Sequence, residues 1–429
     1  MDVQSRKNMD VNIIVQSLLD LVGEESNMTM ASSPSIDMAP TTLRNISPNS
    51  FMPRVVSIGP LHRHDLHLQR FEGRKAMYVQ RLLSYLKRFF KEEDILTECV
   101  LKVVNLIREI KGCYADIKTY NDDELAKMMV MDACFILEFI RSELDDSGSN
   151  KLSNSYIPYD LVLLENQIPF FVLNDIFVST IQKRDQQSLR IFILPLLKCL
   201  NLIQGVKIKP PYTNFPVHIL GYLHNFYMPY KAEISSKFPS STIHSAVELD
   251  RAGVKFMPNK PERWRLSMKV EKHRCSCIFW FLGKPTLRMP VLRINHFTEL
   301  ILRNLIAYEH LSGRTAYITS YARAMDMLID THEDVAKLVR SEVIINHLGS
   351  NEEAASMINK ICKEVVWTSF FYGEEWEKLD KHFNNYFPKK FVNLRVTYFN
   401  SPWNIIALFA GIFLFVLAVL QTIFTIKSS

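Results

Sequence analysis

The sequence predicts a mainly α protein: a helical globular domain with one small β region near residues 254–294 (α+β only by that insert) and one C-terminal transmembrane helix. Three observations carry this. Apolar residues recur at spacings of three and four along most of the chain from Gln69 onward, residues 254–294 are instead rich in β-branched and aromatic side chains, and Trp403–Ile426 has no charge in 24 residues.

Taken in order, residues 1–38 read as a flexible N-terminal tail ending in the Ser/Met/Pro-rich "ESNMTMASSPSIDMAP". The chain start lacks an apolar h-region and does not read as a signal peptide. "FMPRVVSIGPLHRHD", with Pro53 and Pro60, favours extended over helical backbone. From Gln69, Ala76, Val79, Leu83, Leu86 and Phe90 fall at helical spacing. Arg70, Arg74, Lys75, Arg81, Lys87, Arg88 and Lys91 make that helix basic, a solvated face by default and a contact for anionic headgroups as the functional alternative.

Asn121 caps the next helix, with Glu124 three residues on. Pro169 suits a first helical turn and pushes residue 168 out of the helical region. "DLVLLENQ" therefore ends one helix and "PFFVLNDIF" starts another. "HSAVELDRAGVKF" stops at Gly253 as a left-handed cap would stop it. The 254–294 region, cut by Gly283, Pro285 and Pro290, predicts two to four short strands. Helices return at 296–311, 316–330, 331–348 and 351–367, where Thr331 with Asp334 and Ser350 with Glu353 have capping-box spacing. Residues 39–395 thus form the helical domain, 401–426 the membrane helix and 427–429 a short tail.

About 20 apolar residues span a bilayer core of roughly 30 Å, so Trp403–Ile426 is long enough. Tyr398, Phe399 and Trp403 stand where an aromatic belt would lie. Lys378, Lys381, Lys389, Lys390 and Arg395 upstream place the bulk of the chain on the cytosolic side. The expectation is a single-pass, tail-anchored membrane protein whose C-terminal helix contacts membrane lipid.

Much enzymology is excluded by glycine spacing. The 13 glycines are never closer than Gly59 to Gly73, so no P-loop, dinucleotide fingerprint, kinase loop or nucleophile elbow is present. Seven scattered cysteines do not form a disulfide framework. A net charge of +6, dispersed among acids, names no polyanion, and no nucleic-acid partner is expected. His62, His64 and His67, near Asp65, are candidate metal ligands, although exposed loop histidines are commoner than metal sites. No metal or cofactor is expected. Cys275 and Cys277 form a C-x-C that reads as a packed strand.

Asp132 lies on the stripe of Leu125, Met128, Met129, Phe135, Ile136 and Phe139, so it points inward and must be paired, with a helix end or an Arg such as Arg54. Glu138 and Arg141 have the spacing of a helix-surface pair. Glu165, Asn166 and Gln167 sit side by side at the corner before Pro169, where helix ends leave backbone groups without partners. They read as a buried junction. A catalytic role lacks an adjacent nucleophile or base.

"PRVVSIGPLHR" (53–63), "MMVMDACFILEFI" (128–140), "DLVLLENQIPFFVL" (160–173), "SAVELDRAGVKF" (245–256), "LRNLIAYE" (302–309) and "YITSYARAMDMLI" (317–329), with "SPWNIIALFAGIFLFVLAVLQTIFTI" (401–426), resemble the plant family catalogued as domain of unknown function 247, also uncharacterised protein family 0481. The resemblance implies a plant protein with a C-terminal membrane helix, and it supplies no catalytic residues. Some grass members are linked to self-incompatibility, which implies recognition or signalling. The expectation is a non-catalytic, membrane-anchored recognition or adaptor protein with an unknown protein partner. The alternative is a membrane-associated enzyme, such as a lipid-directed hydrolase, using Asp132 or Glu165.

Overall fold

A computed structural model of the chain describes residues 34–115, 117, 120–143, 156–211, 216–229, 244–260, 264–272, 285–367 and 369–384, together with a helix over Pro402–Ser428. Residues 1–33 of the expected tail and the Cys275–Cys277 pair lie outside them.

The centre of the N-terminal half is α5, Asp122–Glu143. Its start is fixed by Asn121, whose Oδ1 accepts from the Glu124 N–H at 2.8 Å. From Asp132 to Ile140 every side chain is buried, because α5 is enclosed by α2 (Gln69–Leu86), α3 (Glu92–Asn105) and α7 (Phe170–Ser179). Phe71 and Tyr78 of α2 set their rings edge-on to Phe135. Shorter helices complete this half: α1 (Thr41–Ile46), α4 (Ile107–Gly112), α6 (Ile157–Asp160), α8 (Leu189–Phe192) and α9 (Leu194–Leu200).

The inner stripe of α2 is Phe71, Lys75, Val79, Leu82 and Leu86, and Ala76 is exposed. Lys75, counted with the basic face in the sequence, is fully buried. Pro169 precedes α7 as its N-cap, with extended ψ 135°, and the corner before it is a run of turns.

The C-terminal half contains α10 (Ile219–Tyr227), α11 (Ala246–Arg251), α12 (Thr298–Leu311), α13 (Tyr317–Leu328), α14 (His332–Arg340), α15 (Asn351–Ile361) and α16 (Gly373–Asn384). Gly253, at φ 88°, ends α11 as its position in the sequence implies. The predicted β region holds β1 (Lys255–Pro258), β2 (Lys269–Lys272), β3 (Pro285–Met289) and β4 (Leu292–Ile294). β3 is central, parallel to β1 and antiparallel to β2. β4 pairs in parallel with β5, Ile344–Asn346, which replaces the end of the helix expected over 331–348. A left-handed Glu342, φ 59°, turns the chain out of α14 and into that strand. Apolar side chains from Ile36 to Leu379 make one continuous core.

The C-terminal expectation is overturned. Pro402–Ser428 is helical (α17), but among the described residues no helix is long and apolar enough to cross a membrane. The transmembrane helix at Trp403–Ile426 is therefore not supported. The membrane-anchored, single-pass layout, the lipid contact through that helix and the cytosolic topology read from its flanks fall with it.

Candidate functional site: a buried polar knot

Between α1 and α2 the chain runs without regular structure through "FMPRVVSIGPLHRHD", yet Val56, Ser57, Ile58 and Gly59 are buried. Buried backbone outside helices and sheets needs partners for each N–H and C=O. Side chains from α2, α5 and the 160–167 corner supply them.

Asp160 accepts from the N–H groups of Arg54 (3.0 Å), Val55 (2.8 Å) and Val56 (3.0 Å). Asn166 accepts from the Ile58 N–H at 2.6 Å and donates to the carbonyls of Val56 (3.0 Å) and Asp160 (2.9 Å). Asp132 Oδ2 accepts from the Gly59 N–H at 2.8 Å, and its Oδ1 lies 2.6 Å from Lys75 Nζ. Lys75 donates in turn to the Ser57 carbonyl and reaches Glu72 Oε1 at 2.9 Å. The partner of Asp132 is thus Lys75, and the Arg54 side chain instead lies over the rings of Tyr156 and Phe297. A cation on the apolar stripe of α2 was the signal: Lys75 is four residues from both Phe71 and Val79.

Gln167 works on the corner itself. Its amide donates to the carbonyls of Leu161 (2.9 Å) and Leu163 (2.7 Å), and its Oε1 accepts from the Leu220 N–H at the start of α10 (3.2 Å). Tyr114 donates to the Gln167 carbonyl at 2.9 Å. That carbonyl presses on Gly59, whose φ is 73°: a Cβ there would overlap the Gln167 oxygen.

Glu165 Oε1 accepts from the Ala39 N–H at 2.9 Å and pairs with Arg44, while Oε2 lies 3.0 Å from His62 Nε2. His62 Nδ1 is 2.8 Å from Asp65. The three loop histidines part here. His64 stacks on Tyr120, ring centroids 5.6 Å apart, and His67 meets the Pro53 carbonyl at 3.0 Å. Among the described residues no three His, Cys, Asp or Glu side chains come together as a metal would require.

Burial sets the electrostatics. It pushes Asp160 up to about 6, against its three N–H donors and Arg54. It also raises Asp132, although Lys75 draws it down. Burial alone would lower His62, but hydrogen bonds to Glu165 and Asp65 outweigh it and raise the imidazole above 6.5. A raised His pKa adds stability that is complete below the unfolded value and lost as pH rises through the folded one. The urea midpoint should therefore fall as pH climbs from about 6.5. His62→Gln should flatten that fall, and an unchanged slope in the variant would exclude His62 as its source.

Glu138 and Arg141 do pair, through two 2.7 Å bonds, but the carboxylate is buried and not at the surface. Sequence reasoning missed further buried polar groups. Asn304 of α12 accepts from the Leu164 N–H (2.7 Å) and donates to the Ser50 carbonyl (2.6 Å). Glu309 accepts from the Ile318 (2.9 Å) and Thr319 (2.8 Å) N–H groups that open α13, and lies 2.9 Å from His224 Nε2. Polar letters inside the apolar "LILRNLIAYE" were their signal.

The arrangement defines a class: a helix-rich domain with an irregular loop threaded through its core and fastened by side chains from distant segments. The chain belongs to the family described as plant proteins of unknown function, domain of unknown function 247, whose model matches residues 36–417. It is 28% identical to UPF0481 protein At3g47200 of Arabidopsis thaliana, over 96% of this chain and 88% of that protein. A second Arabidopsis thaliana UPF0481 protein, At3g02645, is 23% identical over 97% and 94%. No solved structure matches the chain.

Proposed function

We propose that this plant protein is a non-catalytic recognition or adaptor protein. The observation that supports this is where the knot's polar groups point. The carboxylates of Asp132, Asp160 and Glu165 and the amides of Asn166 and Gln167 meet the chain's own backbone and cations. A catalytic carboxylate must reach a substrate atom, and these carboxylates are 0–1% exposed.

Incubated with a plant metabolite extract, the purified chain should leave every mass peak where heat-denatured chain leaves it, and from plant tissue it should purify in a stoichiometric protein complex. A metabolite consumed by the wild type, and spared by a Glu165→Gln variant of unchanged melting temperature, would overturn the proposal.

A further inference from the structure

One helix of the N-terminal half is apolar on two sides. α3, Glu92–Asn105, packs on α5 and α7 and buries Ile95, Cys99 and Val103. Its other side carries Val100, Leu101 and Val104, which are 42%, 57% and 46% exposed. A helix with one face in water normally places polar residues there, and adjoining exposed apolar side chains mark a contact surface. The edge of this face nearest α7 is already committed. Glu98 pairs with Lys183, and Lys102 reaches the Asp175 carbonyl at 3.5 Å.

The two ends of the face carry opposite charge. Glu93 and Asp94 stand in the first turn of α3, and Arg108 follows in α4, past the break at Leu106. All three side chains are exposed, and none has a hydrogen-bond or ion-pair partner among the described residues. Asp94 lies seven residues before Leu101 and Arg108 seven after it, while Thr97, Leu101 and Val104 follow steps of four and three. Such a surface complements itself. Laid antiparallel on its own copy about a two-fold axis at Leu101, it sets Leu101 on Leu101 and brings the acidic end of each helix to the basic end of the other. A parallel arrangement would set like charges together.

The geometry points to a docking surface for a second copy of this chain: the outer faces of two α3 helices, antiparallel, with Asp94 of each copy toward Arg108 of the other. A two-fold interface uses the same patch twice, so every favourable pair is made twice. A partner of one charge sign would match one end of the face and oppose the other, whereas the copy matches both. The exposed trio is small, so the dimer forms and dissociates with concentration and is not permanent. This inference goes beyond the adaptor role and does not depend on it.

Sedimentation velocity of the full chain over a concentration series tests the surface. Monomer and dimer should exchange in the micromolar range, and Leu101→Asp should weaken the dimer by about tenfold or more at unchanged melting temperature. Arg108→Asp and Asp94→Arg should each weaken it on the order of tenfold, since each sets like charges face to face. An equimolar mixture of those two variants should associate as the wild type does, because each chain then carries the charge that the other lacks. That recovery separates a lost contact from a damaged fold. A wild type that stays monomeric up to about 100 µM overturns the proposal. So does an assembly that Leu101→Asp leaves intact, the sign of association through another apolar surface such as α17, or a mixture no tighter than its components. The metabolite test decides the adaptor role separately.

Discussion

Lys75→Met should destabilise the protein by about 3–5 kcal/mol, because it leaves the fully buried Asp132 carboxylate without its cation. Asp132→Asn should also be costly: Lys75 keeps only the Ser57 carbonyl and the partly exposed Glu72. The double variant should recover much of the loss. Methionine fills the lysine's space, and the carbonyl of the introduced amide can still accept from the Gly59 N–H, so no unpaired charge remains. Urea denaturation of the four proteins closes the cycle. Single variants within about 0.5 kcal/mol of the wild type, or a double variant at the sum of the two losses, would show that the pair does not act as a unit.

Gly59→Ala should be comparably severe. The left-handed backbone costs a side-chain-bearing residue about 1–2 kcal/mol, and the new methyl overlaps the Gln167 carbonyl, which Tyr114 holds from the other side. With no flexible neighbour to yield, the total should exceed about 3 kcal/mol, seen as lost soluble yield or a large drop in melting temperature. Gly73→Ala is the control: in a helix interior with open space around it, it should gain about 0.5–1 kcal/mol. A Gly59→Ala protein that melts with the wild type would mean that the loop is not seated against the corner.

How much of this the sequence disclosed depends on how local the cause is. Asn121 and Gly253 act on backbone within a few residues of themselves, and their roles can be read from spacing alone. The inward direction of Asp132 follows from helical period, but its partner does not, since Lys75 lies 57 residues away and was counted with a basic face. Glu165, Asn166 and Gln167 stood out as polar letters in an apolar run. Nothing in that run says that Asn166 serves Ile58, 108 residues earlier. β5 was hidden because three residues hold too little pattern, and α14 was overrun in consequence. The C-terminal stretch shows the opposite error, where composition alone was allowed to decide an environment.

The seating of the 51–60 loop also has a consequence for synthesis on the ribosome. Gly59 must wait for Asp132, 73 residues downstream, Ile58 for Asn166, and the Ser50 carbonyl for Asn304, 254 residues later. At elongation rates of about 5–20 residues per second, the last of these waits lasts roughly ten to fifty seconds. Until Asp160 and Asn166 follow, 104 to 108 residues on, Val55, Val56 and Ile58 are made but have nowhere to be buried. The nascent chain therefore carries an adhesive apolar segment well before the groups that fasten it exist.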